Sequence, residues 1–264
     1  MRCELVSEHA PAGFALSSIA GWNQTINDWR LLLKTSAACC GVEVDGRLVA
    51  TATLICYGRR LGWIGMVLTH PAFRRQGLAR GLVAHVMERA GQRGVETLKL
   101  DATDEGRGLY ESLGFRAEQT VERWQLGSGN REAGERSGEL PLFDLDVEVC
   151  GYDRRMLIAN LTSLSSAARA IDGYIMDRPG RVCRYLGPCV ALRQSTARSL
   201  IEGAIARHPD SGWFWDLLPA NRDAVAIAQD LGFARARTLT RMVWGSELRG
   251  KEEHIFAIGG FEFG

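Results

Sequence analysis

The sequence predicts a mixed α/β (α+β) protein made of two similar units in tandem, each a mixed, twisted sheet flanked by helices. Three observations lead there. Apolar strand-like runs alternate with helical stretches along the chain. The tripeptide Leu113-Gly114-Phe115 recurs as Leu231-Gly232-Phe233, each time before a run ending in tryptophan, Val121-Glu122-Arg123-Trp124 and Arg241-Met242-Val243-Trp244. Between the copies lies a polar, glycine-rich stretch, residues 127–139, which reads as a linker or long loop. The expected division is residues 1–126, a linker or loop at 127–145, and residues 146–264.

The elements follow from local patterning. In the N-terminal region Trp22, Ile26, Trp29 and Leu33 recur at helical spacing and read as a helix with a core face. Residues 48–57 and 61–68 are two strand-like runs separated by Gly58-Arg59-Arg60, a hairpin signal. Residues 78–93 read as an amphipathic helix closed by Gly94, and residues 97–101 as a strand. Residues 108–115 read as a short helix ending at a glycine C-cap. The second half repeats the order with a strand at 182–192, a helix at 195–207 and a strand at 213–217.

Composition sets limits. The 264 residues are 46% hydrophobic and 24% charged, the balance of a soluble globular protein with one or two substantial cores. A net charge of +1 gives no basic face for nucleic acid and no attraction to a membrane surface. No apolar run approaches the ~18 residues of a membrane span. Residues 1–8 lack the apolar core of a signal peptide. Seven cysteines, an odd number with no Cys-x-x-Cys pair, read as reduced thiols, and the expected location is cytoplasmic. No His, Cys or Asp cluster has metal-ligand spacing, so no metal is expected. Nothing in the sequence speaks to oligomeric state.

The strongest chemical signal is the passage from a strand through Pro71, a basic turn, and directly into a helix at Leu78. Backbone N–H groups at a helix start lack intrahelical partners and sit at the positive end of the helix dipole, so they collect anionic oxygens. Gly77 lets the main chain approach such oxygens closely, and Arg74, Arg75 and Arg80 add charge. The turn differs from a Walker loop and from the three-glycine dinucleotide fingerprint.

The spacing Arg74-x-x-Gly77-x-Ala79 resembles the acyl-CoA pyrophosphate loop of the GNAT superfamily of N-acyltransferases. The run Leu109-Tyr110-Glu111-x-Leu113-Gly114-Phe115 resembles that superfamily's second hallmark, in the right order and one strand away. Gly21-Trp22-Asn23-Gln24-Thr25, Leu100-Asp101-Ala102-Thr103 with Gly106-Arg107, Tyr185-Leu186-Gly187-Pro188 and residues 255–260 extend the likeness over nearly the whole chain. They are similar to a bacterial-type subfamily with a degenerate C-terminal GNAT-like domain.

The resemblance implies a catalytic first domain that moves an acetyl group directly from acetyl-CoA to a primary amine of a small molecule, amino acid or peptide. It places the pyrophosphate on Arg74, Arg75, Gln76, Gly77, Leu78, Ala79 and Arg80. It lays the pantetheine arm along Met66, Val67, Leu68 and Thr69, where the strand parts from its neighbour at a β-bulge. Tyr110 becomes the general acid for the departing thiolate, a roughly balanced transfer between a phenol near ~10 and a thiol near ~8.5. Trp22, Asn23 and Gln24 border the expected acceptor cleft, although the helical spacing around them equally describes a core face.

Two departures qualify the likeness. Many GNAT enzymes place a glutamate on a central strand as general base, whereas residues 48–57 and 61–68 contain no carboxylate. Glu43, Asp45, Asp28 and His70 are the nearby alternatives, and Asp104 is a polar candidate for a CoA contact; each also reads as a solvated surface group. The second half carries Leu192-Arg193-Gln194-Ser195-Thr196-Ala197 where the loop glycine should be, and no tyrosine before its Leu-Gly-Phe. It is expected to be catalytically silent, either a scaffold or a wall of the acceptor cleft. The competing reading is a non-catalytic acyl-CoA-binding sensor that kept the loop and lost the chemistry.

Overall fold

The computed structural model describes residues 1–129 and 141–264, so the centre of the expected linker, residues 130–140, lies outside the described residues. The first half of the chain runs β1 (Arg2–Glu4), α1 (Ala10–Ile19), α2 (Ile26–Thr35), β2 (Ala38–Val44), β3 (Arg47–Tyr57), β4 (Leu61–Thr69), α3 (Leu78–Gln92), β5 (Thr97–Ala102), α4 (Asp104–Glu111) and β6 (Arg116–Leu126). The second half runs α5 (Phe143–Cys150), α6 (Arg155–Leu161), β7 (Ser166–Ala170), β8 (Gly173–Arg178), β9 (Arg184–Ala191), α7 (Gln194–Ala206), β10 (Trp213–Leu217), α8 (Arg222–Asp230), β11 (Ala234–Gly245) and β12 (Ile255–Ala257).

These residues form two compact units. One comprises Met1–Glu118, Arg241–Leu248 and Phe263; the other comprises Gln119–Thr240, Arg249–Glu262 and Gly264. The grouping departs from a division into chain halves because each Leu-Gly-Phe tripeptide is followed by a long strand that changes unit. β6 joins the second unit from Gln119 onward, and β11 joins the first from Arg241 onward.

In the first unit the sheet order is β1-β2-β3-β4-β5, with the end of β11 beside β5. β1 to β4 are antiparallel neighbours and β4 runs parallel to β5. Asp45 (φ 50°) and Gly46 (φ 72°) make the two-residue turn between β2 and β3, the backbone that an Asp-Gly hairpin needs. Leu82, Val83, Val86 and Ala90 of α3 lie in one core with Ala50, Ala52 and Leu54 of β3 and Leu98 and Leu100 of β5. Strand alternation sends Thr51, Thr53 and Ile55 to the opposite face of β3. α1 and α2 also contact β3 and are joined by Trp29, whose buried indole N–H donates to Ser17 Oγ at 3.0 Å.

In the second unit the order is β11-β6-β10-β9-β8-β7, with β12 added on β9. α7 buries Ala197, Leu200, Ile201, Ala204 and Ile205 against Ile175, Leu186, Trp213 and Trp215. A buried ion pair ties α5 to α6. Arg154 donates from Nε and Nη2 to the Asp146 carboxylate at 2.9 Å, and Tyr174 donates its hydroxyl to the same carboxylate. All three side chains are buried.

Most expected elements stand where the patterning puts them. Two differ. The helix before Gly114 begins at Asp104 rather than 108, because Thr103 Oγ1 accepts the Gly106 N–H and starts it one turn earlier. Trp22, Asn23 and Gln24 lie on no helix. Gly21, at φ +74°, ends the segment after α1, and Thr25 caps α2, so the three residues form the connection between the helices. All seven cysteines are free thiols. Burial pushes Cys39 up to about 11 and Cys40 up to about 12. No described helix is long and apolar enough to cross a membrane.

Removing one partner of a buried ion pair leaves the other charge without solvation. Arg154→Met is therefore expected to lower unfolding free energy by about 3–5 kcal/mol, read from the urea midpoint. A loss below about 1 kcal/mol would show that Asp146 does not depend on Arg154.

Candidate functional site

The site starts from a one-residue mismatch between β3 and β4. Thr51 pairs with Leu68 and Thr53 with Gly65, so Ala52 alone faces both Met66 and Val67. This is a β-bulge, and its extra residue, Met66, takes φ +47°, a conformation few non-glycine residues adopt. Thr51 Oγ1 holds the bulge by donating to the Met66 carbonyl at 2.7 Å. The bulge turns β4 away from β5. The parallel pairing is confined to Gly62 with Leu98 and Trp63 with Lys99. Beyond it, residues 66–69 have no strand on the β5 side among the described residues.

The open edge leads into the basic turn. His70 Nδ1 accepts the Ala72 N–H at 3.2 Å and starts a single 3-10 turn over Pro71–Phe73. Arg74 is extended, Arg75 is left-handed at φ +60°, and Gly77 is left-handed at φ +77°. Gly77 is the N-cap of α3, and the Gly81 N–H donates to its carbonyl at 3.0 Å. The N–H groups of Leu78, Ala79 and Arg80 thus face out of the helix end without intrahelical acceptors. A Cβ at Gly77 would meet no atom within 4 Å, so the space over the helix start is clear. Arg74, Arg75, Gln76, Gly77 and Arg80 are exposed, while Leu78 and Ala79 are half-buried. Arg80 reaches across to Ser112 Oγ at 2.5 Å, and Ser112 in turn donates to the Leu109 carbonyl at 2.6 Å.

Tyr110 lies on α4, 7% exposed, in the same apolar core as Leu82, Leu100 and Phe115, against which Val67 and Leu78 also pack. Its ring stands edge-on to Phe115 at 6.1 Å. Its hydroxyl has no hydrogen-bond partner among the described residues, and burial pushes the phenol pKa well above its usual value. The group keeps its proton at any ordinary pH.

The remaining candidates are mostly engaged. Asp28 Oδ2 accepts both the backbone N–H and the hydroxyl of Thr25 at 2.7 Å, a capping interaction that explains its burial. Asp45 shapes the hairpin turn. His70 caps its own turn through Nδ1. Glu43 lies 3.9 Å from His9 Nε2. Asp104 is exposed in the first turn of α4. Asn23 and Gln24 are buried and Trp22 is half-buried in the α1–α2 connection.

Sequence reasoning missed three features. Thr51 and Ser112 support the bulge and Arg80; the threonines in an otherwise apolar strand were the available signal for the first. The third is a carboxylate on β5. Asp101 is fully shielded and receives Arg241 Nε and Nη2 at 2.9 and 3.0 Å, with the guanidinium 4.7 Å above the Trp63 ring. No local pattern links residues so far apart in sequence. Ligand atoms of Cys3, His9 and Glu43 also come within 4.8 Å of one another. Burial raises the Cys3 thiol pKa above its usual value.

Comparison with known proteins gives a family and a fold. Residues 5–115 match the family described as Acetyltransferase (GNAT) family, and residues 142–257 match a second Acetyltransferase (GNAT) domain. The chain is 28% identical over 217 residues to the uncharacterized N-acetyltransferase YitH of Bacillus subtilis, covering 75% of each chain. Among solved structures, a protein from Pyrococcus horikoshii superposes with a TM-score of 0.87 at 18% identity, over 100% of this chain and 95% of that one. A tandem GNAT protein from the clavulanic acid biosynthesis pathway superposes with a TM-score of 0.67 at 17% identity, over 93% of this chain and 98% of the other. At such identities the two structures speak for the fold.

The left-handed cap has a cost for any residue but glycine. Gly77→Ala should reduce stability by about 1–2 kcal/mol through backbone strain alone, since its Cβ meets nothing. An unchanged denaturation midpoint would contradict the left-handed cap.

Proposed function

The chain belongs to the GNAT acetyltransferase family, with two GNAT domains in tandem, and from that membership we propose an acetyl-CoA-dependent N-acetyltransferase whose acceptor is a primary amine. The catalytic domain is the first, residues 1–126. The observation that carries the reading is the open edge of β4 at residues 66–69, continuous with a helix start capped by a left-handed glycine.

The residues present fit an acyl-CoA. N–H groups of Gln76, Gly77, Leu78, Ala79 and Arg80 serve the pyrophosphate, and Arg74 and Arg75 add positive charge. The clear space over Gly77 lets phosphate oxygens approach the main chain. Backbone groups of Met66, Val67, Leu68 and Thr69 serve the pantetheine amides in the manner of an added strand. In this reading an N–H at the bulge polarises the thioester carbonyl. When bound, acetyl-CoA supplies an activated acyl group on a thiol leaving group.

Tyr110 holds the proton for that leaving group. Its raised pKa makes full transfer to a thiolate less favourable than the ordinary phenol value allows. Its role is accordingly to hydrogen-bond the departing sulfur. Trp22, Asn23 and Gln24 border the acceptor.

The amine must lose a proton before it attacks. For a lysine-like amine this costs about 4.6 kcal/mol at pH 7, from a pKa of ~10.4. Asp28 and His70 are held by structural contacts and Glu43 lies against His9, so water is taken as the direct proton acceptor. The same engagement favours the second reading, a protein that binds acyl-CoA without turnover.

Tyr110→Phe separates the two. An enzyme should lose about 100-fold or more in kcat with KM for acetyl-CoA nearly unchanged, measured by thiol release over a panel of amines. Binding without thiol release from any amine would favour the sensor.

The pH profile is a further test. Because burial raises the phenol pKa, its protonated form persists to higher pH. The kcat/KM for an amine should climb with pH as the acceptor deprotonates and show no descending limb up to about pH 10. A fall between about pH 8 and 9 would remove Tyr110 from the proton-holding role.

A further inference from the structure

The second unit repeats the geometry of the first at the place where an acyl-CoA would enter. Ile175 pairs with Cys189 and Asp177 with Leu186, so Met176 alone faces Gly187 and Pro188. This is the same one-against-two bulge found between β3 and β4. β9 runs parallel to β10 up to the pair Leu186–Trp215 and parts from it at the bulge.

There the units diverge. β12 lies in the gap, antiparallel to β9, with Ile255 opposite Val190 and Ala257 opposite Cys189. On the other side it is bound to β10 and its surroundings. Trp215 Nε1 donates to the Phe256 carbonyl at 2.8 Å, and the Ile258 N–H donates to the Asp216 carbonyl at 3.0 Å. Tyr185 donates its hydroxyl to the Ile258 carbonyl at 3.1 Å, and Asn221 Nδ2 donates to the Ile255 carbonyl at 3.0 Å. Phe256 and Ala257 are buried.

The anion end is also filled from within. Only Leu192 and Arg193 separate β9 from α7, against residues 70–77 in the first unit, and the cap Arg193 is extended rather than left-handed. The Asp172 carboxylate lies beside this helix start. It accepts Arg193 Nε at 2.7 Å and the Thr196 hydroxyl at 2.9 Å, and the Asp172 carbonyl accepts the Leu192 N–H at 2.9 Å.

We propose that the second unit is a GNAT fold occupied by its own chain, β12 standing where pantetheine would add to the bulged strand and Asp172 standing where the pyrophosphate would meet the helix. A peptide strand offers the same amide groups that the pantetheine arm offers, and a carboxylate satisfies the same cationic and hydroxyl donors as a phosphate. The unit takes no acyl-CoA, and each chain binds a single molecule. The stoichiometry rests on the function proposed above; the filled groove does not.

Titration calorimetry of the full chain with acetyl-CoA, paired with amide hydrogen exchange with and without it, tests both. The expected result is one molecule per chain, with ligand slowing exchange at residues 66–80. Amides at 189–191 and 255–257 should be protected beforehand and unchanged by ligand. Two molecules per chain, or protection gained at 189–191, would overturn the inference. So would fast exchange at 255–257 in the ligand-free protein. No binding at all, with those residues protected, would sink the acyl-CoA reading of the first unit and leave the filled groove standing.

Discussion

Backbone pairing at one bulged strand governs both halves of this protein. A sheet that opens in a protein's interior leaves N–H and C=O groups unpaired, and such groups need partners. The bulge at Met66 opens β4 from β5, and the bulge at Gly187 and Pro188 opens β9 from β10. Among the described residues the second opening is met by β12. The first has no such strand among the described residues, and that is why it reads as a binding edge. The same local geometry yields a site in one unit and a packed core in the other.

The difference extends to the helix that follows. In the first unit residues 70–77 separate strand from helix, long enough for a left-handed Arg75 and a left-handed Gly77, and a Cβ at Gly77 would meet open space. In the second the connection is two residues, the cap is extended, and a carboxylate sits over the helix start. Left-handed residues away from glycine carry strain, and here it falls at the bulge, on Met66, and within the basic turn, on Arg75. Thr51 and Ser112 supply its support, one holding the bulge carbonyl and the other holding Arg80.

Much of this was legible in the sequence because the decisive signals are local. Gly77 before an amphipathic run marks a helix start, Gly58-Arg59-Arg60 marks a hairpin, and the repeated Leu-Gly-Phe marks two related units. What escaped depends on contacts between residues distant in the chain. Arg241 meets Asp101, and β12 meets β9, with no periodicity to announce either. The placement of Trp22, Asn23 and Gln24 failed for a different reason. Helical spacing of Trp22, Ile26 and Trp29 ran across the capping Thr25, and the cap prevailed. The short helix carrying Tyr110 started early for the same reason, at Thr103.

The most direct test of the central claim is a crystal structure of the full chain grown with CoA. The account predicts pyrophosphate oxygens on the backbone N–H groups of residues 76–80 and pantetheine amides along residues 66–69. CoA seated against β9 and α7, or away from both bulged strands, would contradict it.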